Sequence, residues 1–352
     1  MQKYSCKNCD AELYWNSQKQ ALTCDYCGKS YFPYEFETQT NNVQAEEVKN
    51  ELFEKTTDDS EGLEYLKYQC SNCGAEVITV KGTVATTCAY CGRALSMTDK
   101  LVNNFKPHAV IPFVVSRVQA FDIYKQYCKG FLVPKEFKNP ENIKKTKGIY
   151  APFWLHSFQE DANTELLCTR SHSHRRGNDK VVTTQEYKVN MDVTAKFEKI
   201  PADALKNLDN SLMSAIEPFD YSKLEDFNAA YMAGYYAEEY NEDALTTFDY
   251  AYKRAVEAVQ EGCRAHVKGY DTSKVVSYDG KYSNRKASYV MLPVWLINTE
   301  YKNKSYTFAI NGSTGKITGR LPMSKIKLAI TLASTLFGSY LIQILLKMFA
   351  SL

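Results

Sequence analysis

Four Cys-x-x-Cys pairs occupy the first 91 residues at one repeated spacing: Cys6/Cys9 with Cys24/Cys27, then Cys70/Cys73 with Cys88/Cys91. In each set 14 residues separate the pairs, and the second set begins 64 residues after the first. Two cysteines two residues apart curl around one ion, and two such turns complete a tetrahedral shell of four thiolates, so the pattern reads as two copies of a zinc ribbon. Tight turns need a residue that tolerates positive φ, and Gly28, Gly74 and Gly92 directly follow three of the pairs, with Asp10 in the fourth place. Between the pairs the filling is strand-like, with Leu13, Tyr14 and Trp15 in one copy and Val77, Ile78 and Val80 in the other. Neither unit, residues 1–34 or residues 67–100, can bury enough surface to fold alone, so ligation of roughly 10 to 16 kcal/mol would have to hold each. A closed thiolate shell leaves no position for water, which makes both zinc ions structural and predicts no catalysis at either.

Three further thiols, Cys128, Cys168 and Cys263, stand singly and read as buried free cysteines of a reducing compartment. The start, MQKYSCKNCD, holds no apolar leader. At the other end, residues 328–346 run for 19 positions without a charge, between Lys325 and Lys327 on one side and Lys347 on the other. Such a run spans about 28 Å as a helix, close to the hydrocarbon thickness of a bilayer. Its ten Leu, Ile and Phe residues favour insertion by roughly 3 to 6 kcal/mol, partly offset by Ser, Thr and Gln343. Residues 326–349 are therefore expected to form a single transmembrane tail anchor, and Arg320, Lys325 and Lys327 place the rest of the chain in the cytoplasm, at the cell membrane. Thr331, Thr335, Ser339 and Gln343 form a polar stripe on which this helix could pair with its own copy or a partner's.

Residues 35–66 are acidic and poor in apolar groups, predicting a mobile linker with a short helix at 43–55 that lets the first ribbon swing freely from the second. Net charge is only +2 and neither ribbon has a basic cluster, which argues against DNA and toward a protein partner. The section 101–323 mixes helical and alternating patterns, so the fold class is α+β, with a mixed core of helices and antiparallel sheet. Helices are predicted with Val118, Phe121, Tyr124 and Cys128 on one side after a Ser116 cap, with Leu205, Leu208, Leu212 and Ile216, and over 246–267. Strict alternation of Tyr187, Val189, Met191, Val193, Ala195 and Phe197 predicts a half-buried strand. Residues 149–158 and 291–301 each carry Pro, an apolar residue, Trp and Leu in that order, after a helix ending near Lys-Gly. They suggest two related halves, 105–200 and 201–323, with Trp154 and Trp295 as equivalent core residues. The tyrosines of 219–240 are read as packing at helical spacing against the sheet.

Enzyme signatures fail on inspection. Residues 311–316, Asn-Gly-Ser-Thr-Gly-Lys, lack both the leading glycine and the Ser/Thr of a phosphate loop and read as a hairpin turn. His172 and His174, among Arg170, Arg175, Arg176 and Lys180, read as a solvated hairpin tip rather than a metal or anion site. The reading is a non-enzyme, and a catalytic alternative would need a pocket of titratable groups built by the fold.

The twin ribbons, IPFVVSRVQAF, GIYAPFWL, IEPFDYSKLEDFNAAYMAGYYAEEY, LPVWLIN, YTFAINGSTGKITGRLPMSK and the terminal apolar helix follow one another in an order that resembles the YdjG-like zinc-ribbon membrane proteins of Gram-positive bacteria. The resemblance covers essentially the whole chain. It implies a membrane-anchored adaptor in envelope stress that recruits an SPFH-domain protein, and through it a PspA homologue, beside a TPM-domain membrane partner. The alternative is a nucleic-acid-binding ribbon protein of replication or transcription, as labels given to relatives suggest, although the helicase motor of a primosomal protein is absent. A tail that ends almost at the membrane would leave no domain on its far side.

Overall fold

The computed structural model describes residues 4–36, 65–69, 76–80, 96–101, 107–139, 141, 146–177, 179–206, 210–238 and 240–350, with backbone alone for the stretches between 65 and 101 and for 345–350. Cys70, Cys73, Cys88 and Cys91, Leu208 and the expected linker helix at 43–55 lie outside these residues.

The chain opens with a three-stranded meander of β1 (Leu13–Asn16), β2 (Ala21–Cys24) and β3 (Ser30–Tyr31). Next come β4 (Tyr65–Gln69), β5 (Glu76–Val80) and β6 (Ser96–Leu101), which form an antiparallel group. The backbone repeats across the two units: Ser5 bridges Glu12 around residues 6–11, and 64 positions later Gln69 pairs with Glu76 around residues 70–75.

The core is a large curled antiparallel sheet dominated by two very long strands, β8 (Thr146–Arg176) and β12 (Thr272–Tyr301). Before β8 lie β7 (Ala109–Val110) and α1 (Arg117–Tyr127), and after it β9 (Asp179–Asp203), which pairs antiparallel with β8 down to the Arg176/Asp179 tip. Then follow α2 (Asn210–Ala215), β10 (Glu225–Asp226), β11 (Tyr236–Ala237) and α3 (Ala244–His266). After β12 the chain makes the hairpin of β13 (Lys304–Asn311) and β14 (Ile317–Gly319), then α4 (Lys325–Ala350).

Where β8 and β12 cross the middle of the molecule, residues 149–155 and 289–297 are buried on both faces. One face carries Tyr150, Trp154, Met291 and Trp295 against α1 and the first ribbon, and the other carries Ile149, Phe153, Leu292 and Leu296 against Leu205, Met213 and Phe219. Farther out, α3 covers one face alone. Val259 and Cys263 pack on Leu166, Cys168 and the alternating apolar side of β9, from Tyr187 to Phe197, as the period of two predicts. The three single cysteines, Cys128, Cys168 and Cys263, are buried and unpaired.

Two local arrangements match closely. Val110 of β7 pairs parallel to Met291 of β12, and six residues on, Ser116 caps α1 with a reciprocal Gln119 capping box. Ala237 of β11 pairs parallel to Tyr150 of β8, and six residues on, Asp243 caps α3 through the Thr246 N–H. The indole of Trp295 donates to Val115 O at 2.8 Å, and that of Trp154 to Glu242 O at 2.9 Å, each carbonyl belonging to the residue just before a cap. Phe113 meets Trp295 at 4.9 Å and Tyr240 meets Trp154 at 5.3 Å, both edge-on.

Three sequence expectations need correction. Leu205 is not helical: β9 runs to Asp203, whose carboxylate accepts from the Leu205 N–H, while Ala204 O accepts from Asn241 and Glu242. Tertiary hydrogen bonds there override the helical spacing, and α2 begins only at Asn210. Val118 is 61% exposed, because the buried stripe of α1 is rotated to Ala120, Tyr124 and Cys128. Among its described residues the tyrosine-rich stretch 219–240 holds no α-helix, since Asp220 and Asn228 cap short 3-10 turns with their own side chains, a local bond that competes with helix.

Candidate metal centre

The Cys6/Cys9 and Cys24/Cys27 pairs each sit at a hairpin tip whose backbone turns back on itself. Asp10 N–H donates to Cys6 O at 2.9 Å and Gly28 N–H to Cys24 O at 2.9 Å, with Asp10 at φ 56° and Gly28 at φ 74°, as their places after the knuckles require. The two tips bring Cys6 Sγ to 3.4 Å from Cys27 Sγ and Cys9 Sγ to 3.5 Å from Cys24 Sγ, and all four sulfurs lie within 4.8 Å of one another. These separations exceed a disulfide bond and suit a tetrahedron with metal–sulfur bonds of about 2.3 Å, whose edges measure about 3.8 Å. The donor set is soft and complete, so the four cysteines can hold one thiophilic dication such as zinc.

The surroundings favour thiolate at one corner. Cys6 is fully buried, which raises its thiol, yet the hydroxyl of Tyr31 at 3.2 Å, the backbone N–H groups of Asn8 and Cys9, and Cys27 together bring it down to about 6. Tyr31 in turn is pushed up to about 12, first by that bond and then by burial, and so donates to the sulfur. Cys9 moves the other way, to about 12; a backbone contact with Ala11 opposes the rise, but burial and the neighbouring sulfurs of Cys24, Cys27 and Cys6 win. Four thiols this close cannot all ionise unaided, and a dication at their centre removes the repulsion. Sequence reasoning named all four cysteines of this cluster and missed Tyr31, whose only sequence signal is an inward position on β3.

The ribbon is seated on the core. Trp15 N–H donates to Ala233 O at 3.1 Å, its indole to Phe113 O at 3.2 Å, and its ring meets Tyr231 at 4.9 Å, while Asn228 Nδ2 donates to Pro33 O. Trp15 thus fixes this unit on the core, where it is more favourably buried than left in water, while the linker expected to let it swing from the second ribbon lies almost wholly outside the described residues.

Other sequence candidates stay apart. His172 and His174 lie on the exposed β8–β9 tip, next to Gly177 at φ 66°. The 311–316 segment is the β13–β14 turn, with Asn311 Oδ1 accepting from Ser313 and Thr314 N–H, and Asn311 Nδ2 donating to Ile216 O and Pro218 O. The titratable groups that the core does bury were not anticipated. On the covered side of β8, His156 Nε2 bonds Thr247 Oγ1 at 3.1 Å, and Glu160 accepts from Tyr252 and Tyr278. Burial, with Arg285 nearby, lowers His156 to about 3 and keeps it neutral. Asp203, raised to about 8 by burial and by Glu242 and Glu217, lines a cavity of about 280 Å³ with Glu217, Glu242, Asp249 and Tyr250. Their signal was available as polar residues at every fourth place, 156, 160 and 164, on an inward-alternating strand face. Among the described residues the four N-terminal cysteines alone form a cluster close enough to hold a metal.

At the C-terminal end, Lys325–Ile344 of α4 is long and apolar enough to cross a membrane and is 0% buried in the protein.

No protein-family model matches the chain. No solved structure matches it either. A protein of Bacillus subtilis (strain 168), "Uncharacterized protein YdjG", is 32% identical over 339 residues, which cover 96% of this chain and 95% of the relative. At that identity over nearly the full length of both proteins, the chain belongs to the YdjG-like family.

Proposed function

We propose that the protein is a single-pass membrane adaptor whose ribbons and core face the cytoplasm and bind partner proteins. The observation that carries this reading is α4: its apolar window Lys325–Ile344 finds no cover in the protein, so a bilayer is the environment that removes it from water. Arg320, Lys325 and Lys327 just before it favour the cytoplasmic side for the core. Cys6, Cys9, Cys24 and Cys27 would hold one structural zinc, and Cys70, Cys73, Cys88 and Cys91 a second in an equivalent ribbon, supported by the matching Ser5/Glu12 and Gln69/Glu76 pairings. The first ribbon offers a grip in Phe32 and Tyr34, stacked at 5.4 Å and 50% and 62% exposed.

The domain plan read from sequence carries over to this proposal, with 101–323 as two related halves. Its support is the matched pair of strand, cap and Trp contacts about β8 and β12, in which each half lends a short strand, β7 or β11, to the long strand of the other. The partners implied by the family resemblance are an SPFH-domain protein, a PspA homologue and a TPM-domain membrane protein.

The test is purification of the full chain from its native membrane in mild detergent at physiological salt, with mass spectrometry and a nucleic-acid assay on one eluate. Recovery of those partners, lost in a Phe32→Ala/Tyr34→Ala variant that still binds metal, supports the adaptor. Stoichiometric nucleic acid instead, with a steep salt dependence, would favour the ribbon as a reader of DNA or RNA.

A further inference from the structure

We infer that the core is clamped flat on an anionic bilayer by the loop after α1, with Phe131 set into the lipid interface. This inference rests on the reading of α4 as a membrane span. The apolar helix does not leave the core on a free tether. Ser324 N–H donates to Leu132 O at 2.8 Å, and Lys327 Nζ donates to Phe131 O at 3.1 Å and Val133 O at 3.0 Å. Lys327 is the last charge before the uncharged run begins at Leu328. At 1.5 Å per residue, the Lys327 backbone stands within about one helical turn of the hydrocarbon boundary, and it holds the 131–133 backbone at that level. Phe131 is 67% exposed, whereas Val133 and Pro134 in the same loop are buried in the protein. An aromatic side chain uncovered at headgroup depth has lipid as its natural cover.

Charge identifies the lipid. Residues 129–138 carry three lysines, Lys129, Lys135 and Lys138, and one acid, Glu136, all four exposed, and Lys325 is exposed at the foot of the helix. Lys138 Nζ donates to Gly130 O at 3.0 Å, which ties the 3-10 turn that follows to the same loop. A basic cluster directly beside a transmembrane helix is the electrostatic complement of anionic headgroups, each lysine strengthening contact by about fivefold near the surface. Nothing in the anchoring function requires this contact, since a helix alone would tether the core. The clamp adds orientation: it fixes which face of the sheet looks away from the membrane.

The experiment uses the full chain in vesicles whose acyl chains are brominated near the headgroup, made either with phosphatidylglycerol or with phosphatidylcholine alone. Phe131→Trp reports the loop, and Leu336→Trp reports the middle of the helix. The native Trp15, Trp154 and Trp295 are only 4–6% exposed and give a constant background. The expected result is quenching of the Phe131→Trp signal by about twofold in anionic vesicles, reversed by Lys129→Glu/Lys135→Glu/Lys138→Glu. Quenching of Leu336→Trp in vesicles carrying deep bromines, with a water-exposed and unquenched Trp at 131, would overturn the clamp and leave the span. An unquenched Trp at 336 would overturn the span itself. Equal quenching at 131 in neutral vesicles would overturn the assignment to anionic lipid.

Discussion

The first ribbon and the β8–β12 pair are both β-structures closed by antiparallel ladders, yet they are held by opposite means. The ribbon buries few large side chains, among them Leu13, Trp15 and Leu22, and its two hairpin tips are brought together by four sulfurs. Its order is concentrated at one point. The strand pair distributes its order along one long antiparallel ladder of the large sheet, with Trp154, Tyr150, Met291 and Trp295 on one side and Phe153 and Leu292 on the other. A small unit can thus be specified by a handful of residues if an ion does the work, whereas a large one needs agreement among many.

Metal removal is the sharpest way to break this contrast. Chelation, or Cys24→Ser, is expected to withdraw most of the roughly 10 to 16 kcal/mol that ligation supplies, unfolding the first ribbon while the core remains. Metal content, Trp15 fluorescence and limited proteolysis confined to the first 36 residues would report it; simultaneous melting of the core would show that the two regions fold as one. The next largest effect lies in the core. Trp154→Ala and Trp295→Ala should each cost about 3 to 5 kcal/mol in thermal or denaturant unfolding of the detergent-solubilised chain. Closely matched costs would strengthen the case for related halves, and a large imbalance would weaken it.

A smaller effect follows from buried titratable groups. Asp203 is raised from 3.8 to about 8, so the folded chain keeps a proton that the unfolded chain has already lost, and stability falls as pH rises toward 8. His156, lowered from 6.5 to about 3, acts in the opposite sense, costing stability as pH drops below 6.5. Between pH 6.5 and 8 the Asp203 effect therefore stands alone of the two, at about 2 kcal/mol, and Asp203→Asn should flatten the melting temperature across that window. The smallest effect is at the helix starts, where Ser116→Ala and Asp243→Ala should each cost about 1 kcal/mol, again in parallel if the two arrangements are equivalent.

The first cysteine cluster was legible because its geometry is written locally: cysteine spacing, the positive-φ residues Asp10 and Gly28, and the strand at Leu13–Asn16 all follow from neighbours in sequence. The caps at Ser116 and the β13–β14 turn at Asn311 were legible for the same reason. Leu205 was misread because the backbone beside it bonds distant partners, Ala204 O accepting from Asn241 and Glu242, which no periodicity records, and the 219–240 stretch because the side chains of Asp220 and Asn228 cap short turns that compete with helix. The buried His156 and Glu160 were passed over because polar residues are read as outward until the strand face is known.

By itself the sequence determined which four cysteines form the first cluster, the α+β class, the long helix α3 with its apolar stripe and the uncovered apolar helix α4, all of which depend on spacing, composition or short-range hydrogen bonding. Only the tertiary structure decided that β8 and β12 lie side by side, that Trp15 pins the ribbon to the core, and that Lys327 ties the foot of α4 to Phe131 and Val133. These are contacts between residues roughly a hundred to two hundred positions apart, chosen by which apolar faces can exclude water together, and that choice is made only when the whole chain has collapsed.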